Sequence, residues 1–142
     1  MRLFLDACTL IYRFEGANKF RQAATTLIAQ LTADQAVVEL AVSRLSVMEC
    51  RVKPLRESNT ALLQRYSDFF AAVHVLEFSA ETIDLATEIR ADYGLKTPDA
   101  LQAACALLWQ RDVQEEALFV TADKSFSKVP SLAIRLIATQ TP

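Results

Sequence analysis

Four carboxylates stand out in this 142-residue chain by where they fall: Asp6, Glu49, Asp99 and Asp123. Asp6 closes the apolar run "LFL" in "LFLDACTLIY". Glu49 lies in "SRLSVMECRV" and shares an i, i+4, i+7 face with Leu45 and Val52, so it sits on an apolar stripe. Asp99 falls near the start of "KTPDALQAACALLW", and Asp123 comes two residues after "ALFVT", in "TADKSF". Each has an ordinary structural explanation. Asp6 suits a helix cap or Asx turn, Asp99 suits the positive end of a helix dipole, and Asp123 can cap a short turn before Phe126. A carboxylate on an apolar stripe is costly unless neutralised, so Glu49 implies either a metal or a buried ion pair with an arginine such as Arg44 or Arg51.

Taken together, the four point to chemistry. Carboxylates brought within a few ångströms repel and raise one another's pKa, so such a cluster persists at neutral pH mainly when divalent cations neutralise it. All-oxygen ligation favours Mg²⁺ or Mn²⁺ over zinc. Phosphodiester hydrolysis uses such a site: one ion lowers the pKa of the attacking water, and one stabilises the departing oxygen.

The elements that must position these acids can be read from periodicity. Phe20, Ala23, Leu27, Ile28 and Leu31 recur with the spacing of an amphipathic helix, as do Leu62, Tyr66, Phe69 and Val73. Another helix starts at Ser79 as N-cap, with Phe78 and Ile83 spaced to pack as a staple, and stops at Gly94. Ser43 caps the helix carrying Glu49. In the helix after Lys96, Thr97 is placed to cap, Pro98 to take the first helical position and Asp99 the first turn. That helix is apolar almost all round, which predicts a central position. "LFL" (3–5), "AVVELAV" (36–42), "HVLEF" (74–78), "ALFVT" (117–121) and "AIRLI" (133–137) read as strands alternating with these helices. The order predicts a three-layer α/β/α sandwich with a mainly parallel sheet of about five strands, in one domain over residues 1–142. Functional groups in such sheets gather beyond the carboxyl ends of the strands.

Composition narrows the function classes. With 52% apolar residues the chain can build one compact core, and it has neither a membrane-length apolar run nor a signal-like start, so a cytoplasmic protein is expected. Cys8, Cys50 and Cys105 form no CxxC pair and are expected reduced; the Cys-x5-Arg phosphatase spacing fails because residue 14 is Phe14. Seventeen acids against fifteen bases, a net charge of −2, give no global field to attract nucleic acid, so a polyanion would need bound cations or a local basic patch. The lone histidine, His74, lies in a strand and is assigned no catalytic part.

At the four acidic segments the sequence resembles the PIN-domain family, and within it the small VapC-type ribonucleases of toxin–antitoxin pairs. "LFLDACTLIY" is similar to the opening motif, "SVMEC" to the helix-borne glutamate, "KTPDALQAACA" to the aspartate heading a central helix, and "LFVTADKSF" to the closing acidic motif. "TPDALQAACA" and "VTADKSF" are the most specific pieces. The resemblance implies a metal-dependent endoribonuclease of PIN-like fold, with Asp6, Glu49, Asp99 and Asp123 as ligands of Mg²⁺ or Mn²⁺ and Glu49 alternatively a water-orienting base. It also implies an RNA substrate, a cognate antitoxin and a homodimer. The family often has Ser or Asn two residues after the first aspartate, where this chain has Cys8; Thr9 or Thr121 would supply the outer hydroxyl instead. Arg13, Arg44, Lys96 and Lys124 neighbour the motifs and could steer phosphates, although a solvated surface charge is the first reading of each. An apolar groove between the helix at Leu62 to Phe70 and the N-terminal helix is where an antitoxin would bind.

Two other readings compete. An aspartyl-phosphate phosphatase also places an aspartate after its first strand, but needs a second aspartate where Cys8 stands. A non-catalytic PIN-fold binding module would have little reason to retain all four acids.

Overall fold

The computed structural model describes residues 1–111 and 116–138. Its centre is a five-stranded sheet of β1 (Arg2–Leu5), β2 (Glu39–Ser43), β3 (His74–Leu76), β4 (Ala117–Thr121) and β5 (Ile134–Leu136), in the order β3-β2-β1-β4-β5 with every pairing parallel. Six helices pack on it among the described residues: α1 (Ala7–Glu15), α2 (Asn18–Thr32), α3 (Arg44–Arg56), α4 (Thr60–Ala72), α5 (Ala80–Tyr93) and α6 (Thr97–Arg111). A 3-10 turn spans Lys124–Lys128.

A parallel sheet covered on both faces needs strands that are apolar at every position. β1 meets this need. Phe4 faces one core with Ala41, Phe119 and the alanine-rich side of α6, while Leu3 and Leu5 face the other with Val42, Val120, Leu10 and Tyr66. The expected α/β/α layers are therefore present, with α5 and α6 in the first core and α1 to α4 contributing to the second. The helix from Ala100 to Ala106 is central, as its composition predicts: Ala100, Ala103, Ala104 and Ala106 are completely buried. Phe4 stacks on Phe119 at 5.3 Å between centroids, and Phe119 meets Phe126 at 4.6 Å. Such pairs contribute about 0.5–1.5 kcal/mol each beyond burial, and here they tie the strand before Asp6 to the turn after Asp123.

Several local expectations change. Strand β2 begins at Glu39 rather than Ala36, because its ladder with β1 starts at the pair Arg2 and Glu39. β3 ends at Leu76, opposite Ser43, where β2 gives way to α3. Strand β5 covers only Ile134–Leu136 of the expected 133–137, its last rung lying opposite Thr121, where β4 ends. Helix α1 is not among the expected helices, although Ala7, Leu10, Ile11 and Phe14 fall at i, i+3, i+4 and i+7; Asp6 starts it, accepting the Thr9 amide as N-cap. Helix α5 has the expected cap, with Ser79 and Thr82 forming a reciprocal capping box, and ends on left-handed Gly94 (φ 71°). Its staple is absent, since Phe78 packs into the core while Ile83 remains exposed. Helix α6 begins at Thr97 rather than after it, and the Thr97 hydroxyl accepts from Arg90.

No helix among the described residues is long and apolar enough to cross a membrane. His74 is exposed at the start of β3, with its ring 6.3 Å from that of Trp109.

Candidate active site

The chain runs from β1 outward to β2 and β3, then returns to the opposite side of β1 for β4. The strand order therefore reverses between β1 and β4, and α/β sheets open a crevice at the carboxyl ends of such a pair. Leu5 lies opposite Val120, so Asp6 and Thr121 emerge at the same level on the two sides of that point.

Asp6 is only 5% exposed and is held from three directions. Its Oδ1 accepts the Thr9 amide at 2.9 Å and the Thr9 hydroxyl at 2.8 Å, and its Oδ2 accepts the Thr121 hydroxyl at 2.5 Å. The Thr121 hydroxyl in turn accepts the Asp123 amide at 3.0 Å. One buried threonine thus connects the first acid to the backbone of the last. Asp123 caps the 3-10 turn by accepting the Ser125 amide at 2.8 Å, so the turn-capping reading and the cleft reading describe the same carboxylate.

Glu49 and Asp99 come from helices. Ser43 caps α3 by accepting the Ser46 amide at 3.2 Å, which sets the helix that carries Glu49. The inward side of α3 is Ser46, Val47, Cys50 and Pro54, not the stripe through Leu45 and Val52. Val52 is exposed with Met48 and Leu55, and Glu49 is half-buried at the boundary. The alternative of an ion pair with Arg44 or Arg51 is not found: Arg44 pairs with Glu77, and among the described residues no ion pair involves Glu49.

All four acids line one cavity of about 130 Å³, together with Cys8, Pro98 and Gln102. Burial raises the carboxyl of Asp6 above its ordinary range despite the opposing hydrogen bonds from Thr121 and Thr9, and Asp123 raises it further. Glu49 is raised by burial, then by Asp99 and Asp6; Asp99 is raised by burial and by Asp123, with Lys96 opposing. The acids therefore act on one another. Cys8 is pushed up to about 11 by burial and by Asp6, so it faces the cavity as a neutral thiol.

The donor set is carboxylate oxygen throughout, which suits a hard cation. Among the described residues no three His, Cys, Asp or Glu side chains already form a metal-binding group. Mg²⁺ keeps several waters and is held by one or two carboxylates with substrate phosphate, so a carboxylate-lined cavity without a closed protein cage suits it by the chemistry of its donors. The residues present fit the ion.

The four candidate steering cations lie outside this lining. Arg44 is engaged by Glu77, Arg13 lies over Phe14 at 5.9 Å, and Lys96 and Lys124 are exposed beside Thr97 and Asp123. The expected apolar groove at the N-terminal helix is instead a cavity of about 320 Å³ whose lining mixes Phe14 and Leu62 with Glu15, Lys53, Glu57 and Arg65. A larger cavity of about 500 Å³ lies between α5 and α6 and contains none of the four acids. Gln102 is the residue that sequence reasoning missed. Its signal was an amide within the apolar stretch of the helix, one turn after Asp99.

A model of the PIN domain matches residues 3–132. No curated protein matches the chain. Among solved structures, VapBC2 from Rickettsia felis bound to a DNA fragment from the promoter has a TM-score of 0.72 at 20% identity, covering 96% of this chain and 98% of that one. A toxin–antitoxin complex from Klebsiella pneumoniae has a TM-score of 0.68 at 22% identity over 92% and 95% of the two chains. VapBC-1 from nontypeable Haemophilus influenzae has a TM-score of 0.70 at 17% identity over 98% and 100%. At these identities the likeness establishes a shared fold.

Proposed function

The chain belongs to the PIN-domain family, and from that premise we propose that it is a Mg²⁺- or Mn²⁺-dependent endoribonuclease, the toxin of a toxin–antitoxin pair. The observation that carries this reading is the single cavity lined by Asp6, Glu49, Asp99 and Asp123, none of which is paired with a lysine or arginine among the described residues.

Asp6, Asp99 and Asp123 would hold the ion, with Glu49 as a further ligand or as the base that orients water. The ion, when bound, supplies Lewis-acid charge at the phosphoryl group and makes water a stronger nucleophile. The protein's own part is orientation. Thr9 and Thr121 aim the two oxygens of Asp6, the Ser43 cap sets the helix of Glu49, and Pro98 in the first turn of α6 sets Asp99. Water would attack phosphorus in line as the P–O bond to the departing ribose oxygen breaks, with Glu49 placed to accept the water's proton and solvent to protonate the departing oxygen. Once the carboxylates are neutralised, the net charge of −2 no longer opposes an RNA backbone.

An antitoxin protein and a homodimer belong to the same proposal; toxin–antitoxin complexes sharing this fold support the first. Incubating the purified chain with an RNA mixture, with and without EDTA and with Asp6→Asn as control, and sequencing the fragment ends tests the activity. Metal-dependent cleavage that the variant lacks is expected. Uncut RNA, with no binding of Mg²⁺ or Mn²⁺ at millimolar concentration, would favour a non-catalytic binding module.

A further inference from the structure

Gln102 is 3% exposed in the middle of α6, and each end of its amide has a hydrogen-bond partner. Its Oε1 accepts the Ser43 hydroxyl at 2.8 Å and its Nε2 donates to the Ser46 hydroxyl at 2.8 Å. Ser43 and Ser46 are completely buried and belong to the N-terminal turn of α3, joined by the capping bond from the Ser46 amide. A neutral, satisfied hydrogen-bond bridge therefore runs from α6 to the start of α3 through the core.

Spacing gives the bridge its meaning. Ser46 precedes Glu49 by three positions on α3, and Asp99 precedes Gln102 by three positions on α6. Residues at i and i+3 lie one above the other on a helix face. Two rungs follow, one joining Ser46 to Gln102 by a hydrogen bond and one setting Glu49 and Asp99, two carboxylates, on the same cavity. The first rung is attractive and rigid, the second repulsive.

We propose that Gln102 is a positioning residue: its bridge to Ser43 and Ser46 fixes the separation of the helices bearing Glu49 and Asp99, and so holds the two carboxylates at ligating spacing against their mutual repulsion. The inference rests on the nuclease reading of the four acids. Gln102 lines the same cavity, and each end of its amide already has a serine partner, which suits it to position a neighbouring ligand rather than to be one. A buried amide placed there for stability alone could be replaced by a leucine of similar volume at little cost to metal binding, whereas a bridge that sets ligand spacing could not.

The test is Mn²⁺ affinity, read by electron paramagnetic resonance at 25 °C on folded protein, with thermal midpoints recorded beside it. Gln102→Leu and Ser46→Ala should each weaken Mn²⁺ binding by about 10- to 100-fold, the range for residues that orient metal ligands. The double variant should be no weaker than the worse single one, because both changes break the same bridge. Tyr66→Phe removes another buried contact, between the Tyr66 hydroxyl and Glu15, away from the cavity; it should lower the midpoint and leave Mn²⁺ affinity unchanged. Wild-type affinity in Gln102→Leu, additive losses in the double variant, or an equal loss in Tyr66→Phe would overturn the inference alone. Failure of the wild type to bind Mn²⁺ would overturn the nuclease reading and this inference with it.

Discussion

The Thr121 hydroxyl donates to Oδ2 of Asp6 at 2.5 Å and accepts the amide of Asp123 at 3.0 Å, so a single side chain on β4 links two acids that lie 117 positions apart in the chain. It can do so because parallel register brings Thr121 level with Asp6 beyond the last paired rung, Leu5 and Val120.

Thr121→Val keeps the shape and removes both bonds. Stability should fall by about 1–3 kcal/mol, since a buried carboxylate oxygen and a backbone amide each lose a partner. Mn²⁺ affinity should fall by about 10- to 100-fold, while Thr121→Ser should stay close to wild type. Thermal denaturation and metal titration of the two variants side by side check both parts.

Glu49 should destabilise the fold at neutral pH. Burial first, then Asp99 and Asp6, raise its carboxyl above the ordinary value of 4.5, so the folded state holds the proton more tightly than the unfolded one. Stability then falls as pH rises from about 4.5 through the raised folded value, and the penalty is complete once the pH lies above that value. Glu49→Gln should raise the thermal midpoint at pH 7.5, by about 4 °C at most for a half-exposed group, and the gain should vanish below about pH 4. Saturating Mn²⁺ should narrow or reverse the difference by stabilising the wild type more. A pH series of melting curves reads all three outcomes.

Cys8 should be unreactive although it borders the cavity. With its thiol pushed up from 9.0 to about 11, it carries about 100-fold less thiolate at neutral pH than an ordinary cysteine. Iodoacetamide at pH 7.5 should label it slowly, and Cys8→Ser should leave RNA cleavage within about threefold of wild type, because Thr9 and Thr121 already orient Asp6. Rapid labelling or loss of cleavage would make the thiol part of the site.

Much of the architecture was legible because a doubly covered parallel sheet demands continuous apolar strands, and "LFL" and "ALFVT" meet that demand without help from distant residues, while "AIRLI", broken by Arg135, forms the edge strand. What escaped depends on pairing. Nothing within "AVVELAV" says that Glu39 is the first rung, because Arg2 on another strand decides it. Helix α1 could have been read from Ala7, Leu10, Ile11 and Phe14, at i, i+3, i+4 and i+7; it escaped because these follow the strand run "LFL" directly, with only the capping carboxylate of Asp6 between them. The face assigned to Glu49 was wrong for a related reason. Leu45 and Val52 do share its stripe, but the sheet lies against Ser46, Val47 and Cys50, and period alone cannot tell which of two adjacent stripes turns inward. Gln102 was hidden because its partners, Ser43 and Ser46, are more than fifty positions away.

The central claim is that carboxylates from β1, α6, the turn after β4 and α3 together bind a hard divalent cation. Crystals soaked in Mn²⁺ and measured at the manganese absorption edge test it most directly. The account predicts an anomalous peak in the cavity, about 2.1 Å from oxygens of at least one of Asp6, Asp99 and Asp123, and its loss in Asp6→Asn. A peak elsewhere on the surface, or none at millimolar Mn²⁺ with the cavity open to solvent, would contradict it.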